Sequence, residues 1–238
     1  MMGKWSDEAS DVVQNLREIQ HNISEACIAS GRRPEEVTLL GVTKTVPPAR
    51  INSAISAGLL HIGENRVQEF LSKKEEINLE NVKVHLIGHL QTNKISRIIT
   101  NVDMIESVDS LRLADAINKQ SIKINHVTNV LVEVNIGREQ AKSGVMEEKL
   151  DELLYEISGM KGLNVLGLMT VPPIFDTEHE KRAVFSHMYK LFIDIRGKNI
   201  DNIHMDILSM GMSSDYIEAI KEGATIIRVG SAIFGKRG

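Results

Sequence analysis

Short apolar runs and amphipathic helical stripes alternate eight times along this chain of 238 residues, and few architectures can satisfy that rhythm. The expected strands are Val37–Thr43, Leu60–Ile62, Val84–Ile87, Met104–Ile105, Asn129–Asn135, Asn164–Met169, His204–Leu208 and Ala224–Val229. Between them the spacing of three and four predicts helices over Pro48–Ala57, Val67–Glu76, Lys94–Ile99, Leu111–Asn118, Glu147–Ser158, Thr177–Arg196 and Asp215–Lys221. One more helix, Ser10–Ala29, stands in front, with Val12, Leu16, Ile19, Ile23 and Cys27 on one stripe. Strict alternation implies parallel strands joined by right-handed crossovers. Eight such strands close a (β/α)₈ TIM-type barrel with an extra N-terminal helix. A doubly wound open sheet fits less well, because the first strand is not followed by a glycine-rich turn.

The core must be aliphatic, since 42% of residues are hydrophobic but only 4% aromatic. A net charge of −4 argues against a nucleic-acid or anionic-membrane surface. Cys27 is the only cysteine, which rules out an intrachain disulfide and suits a small buried apolar residue. The N-terminus lacks an apolar signal core and no stretch reaches a membrane span, so a cytoplasmic location is expected. The absence of linker-like or low-complexity segments predicts one domain, residues 1–238 with a core over about 10–237, and a monomer is expected.

In such barrels the chemistry gathers where strands end, so the residues just past each strand matter most. The first strand ends in Lys44, inside Gly-Val-Thr-Lys-Thr-Val-Pro-Pro. A lysine that loses hydration there becomes a neutral amine, a nucleophile toward carbonyls. Taken alone, it also fits an aliphatic stem with its charge in water. The second strand leads into Gly63, Glu64 and Asn65, and Asn65 could cap the next helix. The third strand yields His85 and, after a glycine turn, His89, at a spacing that does not bring two imidazoles to one metal on a strand-to-turn segment. The seventh gives Ser209, Gly211, Met212 and further hydroxyls before a helix, and the eighth gives Arg228, Gly230 and Ser231. Loops after strands seven and eight are a habitual phosphate site in these barrels. An amine on strand one with a phosphate cradle on strands seven and eight points to a phosphorylated aldehyde. Pyridoxal 5′-phosphate fits, as does the substrate of a class I aldolase, and spacing does not separate them.

Five motifs stand in order: Gly-Val-Thr-Lys-Thr-Val-Pro, Ile-Gly-Glu-Asn-Arg-Val-Gln-Glu, His-Leu-Ile-Gly-His-Leu-Gln-Thr-Asn-Lys, Leu-Ser-Met-Gly-Met-Ser and Arg-Val-Gly-Ser-Ala-Ile-Phe-Gly. Together, over about residue 10 to Arg237, they resemble the YggS/PROSC family of pyridoxal phosphate homeostasis proteins. The resemblance implies the barrel fold of the N-terminal domain of alanine racemase, with pyridoxal phosphate held as a Schiff base on Lys44. It places Asn65 near the ring, Met169 packed against the cofactor, and Ser209, Gly230 and Ser231 at the phosphate, with the Met212 backbone nearby. Arg228 matches an arginine that contacts the pyridine nitrogen, and Lys142 matches a second lysine linked to cofactor transfer. As a bare residue Lys142 equally fits a solvated loop charge. The implied role is storage, buffering or delivery, with apo pyridoxal enzymes as recipients and without efficient turnover.

An arginine at the ring nitrogen keeps that nitrogen unprotonated and weakens the cofactor as an electron sink. Racemases with that arrangement add a tyrosine from a second domain. Here Tyr155, Tyr189 and Tyr216 fall in expected helices, and the sequence ends soon after the eighth strand. The alternative is a slow amino-acid racemase with His89 or Lys142 as acid/base; a class I aldolase-like enzyme is a third reading.

Overall fold

The computed structural model describes residues 3–139, 142–173 and 177–235, with side chains from Ser10 onward. The expected core limit near residue 237, and Gln140 and Ala141 beside Lys142, lie outside the described residues. Eight parallel strands close into one barrel in sequence order, β8 pairing back onto β1. This is the expected (β/α)₈ architecture. The strands are β1 (Thr38–Val42), β2 (His61–Glu64), β3 (Lys83–Leu86), β4 (Met104–Val108), β5 (Thr128–Glu133), β6 (Leu163–Met169), β7 (Ile203–Met212) and β8 (Ile226–Val229). Helix α1 (Gly3–Ala29) precedes them. The others are α2 (Pro48–Ser56), α3 (Val67–Lys73), α4 (Ile95–Ile98), α5 (Leu111–Lys123), α6 (Glu147–Ser158), α7 (Glu178–Gly197), α8 (Tyr216–Lys221) and a short α9 (Ser231–Phe234) after β8.

The helices form where the spacing placed them. Helix α7 starts at a reciprocal cap, in which the Thr177 hydroxyl accepts the Glu180 amide and the Glu180 carboxylate accepts the Thr177 amide. It buries Phe185, Met188, Phe192 and Ile195, while Tyr189, expected on the same stripe, is 40% exposed. Helix α1 lays Val12, Leu16, Ile19, Ile23 and Cys27 against the barrel wall.

Strand β7 runs four residues beyond its expected end at Leu208. Ser-Met-Gly-Met reads as loop, yet its register against β8 shifts between Ser209 and Met212, and Gly211 absorbs the irregularity at φ +92°. Ser209 and Met212 therefore belong to the strand itself. Strand β4 likewise continues to Val108, with all five residues buried, which brings Glu106 into the barrel.

Two layers of packing result. The large aliphatic layer lies between strands and helices. Inside the barrel, Met104, Leu131 and Met169 form a separate small cluster with Leu166 and Ile207. Strand alternation carries the next inward positions past that cluster to Glu106, Glu133 and Ser209. Where such barrels are usually filled by branched apolar side chains, this one holds a buried polar string.

Candidate functional site

The loop after β1 that carries Lys44 is held through the residues on either side of it. The Thr43 amide donates to the Gly63 carbonyl, 3.0 Å, and the Thr43 hydroxyl donates to the Glu64 carboxylate. The buried Lys73 ammonium, reaching up from α3, donates to the Thr43 carbonyl at 2.8 Å and pairs with Glu64 and Glu69, both at 2.9 Å. Thr45 sits at φ +62°, an uncommon conformation for a β-branched residue, and its amide donates to Glu69. Burial pushes the Glu64 carboxyl up, while burial of Glu69 is outweighed by the Thr45 amide and Lys73, which hold it below its usual value. A strained turn fixed at Thr43 and Thr45 gives Lys44 a defined place at the C-terminal mouth.

A cavity of about 210 Å³ joins Lys44 to Thr45, Arg50, Gly230, Ser231 and Gly235. The amine and the residues after β8 thus share one cleft. The Ser213 hydroxyl, just past β7, accepts the amides of Gly230 (3.1 Å) and Ala232 (3.4 Å). Arg50 donates to the Phe234 carbonyl at 2.9 Å and ties α2 to α9. Asn65 does not cap α3, whose N-cap is Arg66, and its Oδ1 is buried without a partner in the protein. Such an acceptor usually signals a group yet to be supplied.

Beneath the mouth lies Arg228, 3% exposed. It donates to the Ser209 hydroxyl at 2.7 Å and to the Thr170 carbonyl at 2.6 Å. Ser209 in turn donates to Glu106 at 2.6 Å. Burial draws the Arg228 pKa down, opposed by Glu106, Glu133 and Asp215. Burial would raise Glu106, but His85, Arg228 and Ser209 outweigh it and keep the carboxylate ionised. Ser209 therefore faces the barrel axis, and the hydroxyl beside Gly230 and Ser231 is that of Ser213. The Met212 amide is taken by Asp215 at 2.6 Å. Met169 is fully buried on the inner face of β6, directly before Thr170.

Lys142 stands on the loop after β5, paired with Glu139 at 2.6 Å and donating to the Pro172 carbonyl at 3.3 Å. It bridges the loops after β5 and β6 on the same rim as Lys44. His89 is half-exposed and faces Asp109 at 3.5 Å, whereas His85 points inward to Glu106. Among the described residues no group of three or more His, Cys, Asp or Glu could hold a metal ion. Tyr155 and Tyr189 lie exposed on α6 and α7, and the Tyr216 hydroxyl accepts Asn22 of α1.

Glu106, Glu133, Lys73 and Thr170 are absent from the sequence reading, and Ser213 enters it only as one of several hydroxyls after the seventh strand. For the two acids a signal existed: each stands two residues beyond an inward apolar position, Met104 and Leu131, inside a strand. Burial, with a smaller push from Asp109 and a pull from Arg228, raises Glu133 to about 7. The folded chain then holds a proton that the unfolded chain gives up near the ordinary carboxyl value of 4.5. Stability should fall as pH rises from there to about 7, by up to about 3 kcal/mol. Glu133→Gln should accordingly stabilise the protein by ~1–3 kcal/mol at pH 8 and hardly at pH 4.5, read from urea melts. Equal gains at both pH values would refute the burial of an ionisable carboxyl there.

Comparison with known proteins matches residues 14–238 to the family described as alanine racemase, N-terminal domain. The pyridoxal phosphate homeostasis protein of Aquifex aeolicus is 42% identical over 224 residues, 94% of this chain and 97% of that one. A solved structure of PipY from Synechococcus elongatus with PLP bound is 33% identical, with a TM-score of 0.79 over 90% of this chain and all of that one. An alanine racemase from Clostridium difficile, 16% identical, shares the fold at a TM-score of 0.75 over 94% of this chain and 57% of its own length.

Proposed function

We infer the function from family and geometry together: this chain belongs to the alanine racemase N-terminal-domain family, and we propose that it binds pyridoxal 5′-phosphate to store, buffer or deliver it. The observation that carries the reading is the single cleft joining Lys44 to Gly230 and Ser231 above a buried Arg228. The cofactor supplies an aldehyde that condenses with an amine, losing water. Lys44 is the amine presented, held in place by Thr43, Thr45 and Lys73. Gly230 and Ser231, with Ser213 and the Arg50-tied α9, form the phosphate end. Asn65 would stand beside the ring and Arg228 would face its nitrogen, with Met169 below. Ser209 takes a different part from the one the motif implies: it orients Arg228 instead of touching phosphate.

A carrier without efficient turnover is the better reading for this site. Arg228, kept cationic by Glu106, Glu133 and Asp215, leaves the ring nitrogen unprotonated. The three tyrosines are engaged on helices or exposed away from the mouth. One observation favours slow racemisation as a second reading: Glu133, with a pKa of about 7, could exchange a proton near Arg228. We further propose a monomeric, single-domain, cytoplasmic protein whose recipients are apo pyridoxal enzymes, with Lys142 at the rim aiding transfer. Among the described residues no helix is long and apolar enough to cross a membrane.

The test is to add pyridoxal phosphate to the purified protein, record its visible spectrum, reduce with borohydride and map the peptides. A visible band that reduction removes, with the adduct on Lys44, is expected. No band and no adduct would overturn the cofactor assignment and favour the sugar-phosphate reading.

A further inference from the structure

The string of polar groups under Arg228 does not stop at Glu106. Glu106 Oε1 lies 2.6 Å from His85 Nδ1, and His85 Nε2 lies 3.3 Å from His61 Nδ1, the two rings meeting edge to face. His61 is only half-buried and opens into a cavity of about 360 Å³ at the N-terminal end of the barrel. The chain of contacts therefore runs the length of the barrel: Arg228, Ser209, Glu106, His85, His61, then solvent at the opposite mouth.

Donor and acceptor roles along it are fixed from the top. Glu106 is ionised and can only accept, so Ser209 and His85 Nδ1 both donate to it. In a neutral His85 the Nε2 atom is then an acceptor, and His61 must donate from Nδ1. That leaves His61 Nε2 to take a proton from the lower cavity. When it does, the His61 Nδ1–H bond can break as a His85 Nε2–H bond forms. His61 is left neutral with its proton on Nε2, and the positive charge stands on His85 against Glu106. No oxidant or further reactant is required.

We propose that Glu106 is a positioning residue for Arg228, and that His85 and His61 make its hold on Arg228 depend on one proton delivered from the opposite mouth of the barrel. A charged His85 on Oε1 draws the Glu106 charge away from Oε2, where Ser209 donates, so Arg228 loses part of its anchor when the proton arrives. The groups facing His61 from its surroundings are Lys83 of β3, Asp103 ahead of β4, Glu106 of β4, Glu36 ahead of β1 and Asp206 of β7. Lys83 and Asp103 are paired with each other at 2.8 Å. Burial, then His85, draws the His61 pKa down, against a pull from Asp103. Loading is therefore expected on the acid side of neutrality.

The coupling to Arg228 stands without the cofactor; its consequence for cofactor retention rests on the pyridoxal phosphate reading above. The experiment follows the Arg228 Nε–H and His61 ring signals by NMR from pH 5 to 8 in protein freed of cofactor. In the wild type the Arg228 signal should move over the same pH interval as His61. In His85→Gln, whose amide can still donate to Glu106, the Arg228 signal should no longer follow His61 and should keep only the change that Glu133 brings near pH 7. Ser209→Ala, which cuts the string at the cost of one atom, should uncouple Arg228 from His61 in the same way. Pyridoxal phosphate retention should fall about tenfold in Glu106→Gln. An Arg228 signal that does not follow His61 in the wild type, or that titrates unchanged in His85→Gln, would overturn the proposal. So would unchanged retention in a folded Glu106→Gln. If the wild type takes up no pyridoxal phosphate while Arg228 still follows His61, the cofactor reading fails and the coupling holds.

Discussion

Lys44→Ala should yield a folded protein that no longer fixes pyridoxal phosphate covalently: the visible band is lost and borohydride adds no mass to the peptide. Fold should survive because the turn around residue 44 hangs on its neighbours. The Thr43 hydroxyl, amide and carbonyl are engaged by Glu64, Gly63 and Lys73, and the Thr45 amide by Glu69. None of those bonds passes through the Lys44 side chain. Noncovalent binding should persist, since Gly230, Ser231, Ser213 and Arg228 are untouched. It should weaken by at least about tenfold, or 1.4 kcal/mol, as measured by equilibrium dialysis. A mutant that kept the wild-type band would move the covalent link to another amine, with Lys142 on the same rim as the first to examine.

How much of this was legible beforehand divides along a physical line. Residues that act by being at a strand end were visible, because the alternation of periods locates strand ends. Lys44, Asn65, Gly230 and Ser231 came from that rule, and the structure brings Lys44, Gly230 and Ser231 to one cleft with Arg228 buried beneath it. Residues that act by pointing inward along a strand were harder. Reading β7 as ending at Leu208 turned Ser209 into a loop hydroxyl, when the next inward position after Ile207 puts it on the barrel axis under Arg228. Reading β4 as ending at Ile105 hid Glu106 altogether. Both errors have one cause: polar residues inside a barrel look like the end of a strand when burial is judged by hydrophobicity.

Lys73 and Ser213 illustrate a different limit. Lys73 closes α3 and looks, in sequence, like a helix C-terminal cation facing water. Its burial depends on Glu64 and Glu69 meeting at its tip, which is a tertiary fact. Ser213 stood in a run of hydroxyls in which any member could have met the turn after β8. Only the tertiary contact with the Gly230 and Ala232 amides selects it.

Gly167→Ala should be the most damaging small substitution outside the site, and the reason connects the fold to Arg228. Gly167 adopts φ +153° and pairs with Ile207 across the β6–β7 ladder. A Cβ there would stand 1.8 Å from the Ile207 carbonyl oxygen and 2.7 Å from its carbon. Those are backbone atoms in a paired strand, so no side chain can swing aside. Register shifts on both sides of β6 meet at this residue, one against β5 and one against β7. They set the phase that brings Met169 inward and the Thr170 carbonyl to Arg228. The cost should exceed about 4 kcal/mol, which for a chain of this size lowers Tm by ~8–16 °C. What folds should hold Arg228 poorly and lose cofactor with it. Gly197→Ala is the matching control, since nothing lies within 4 Å of its added Cβ at the end of α7, and it should be neutral or mildly stabilising. If Gly167→Ala melted within a few degrees of the wild type, β6 and β7 would have to part without strain. The bulge would then be an adaptable feature, not the element that sets Arg228 in place.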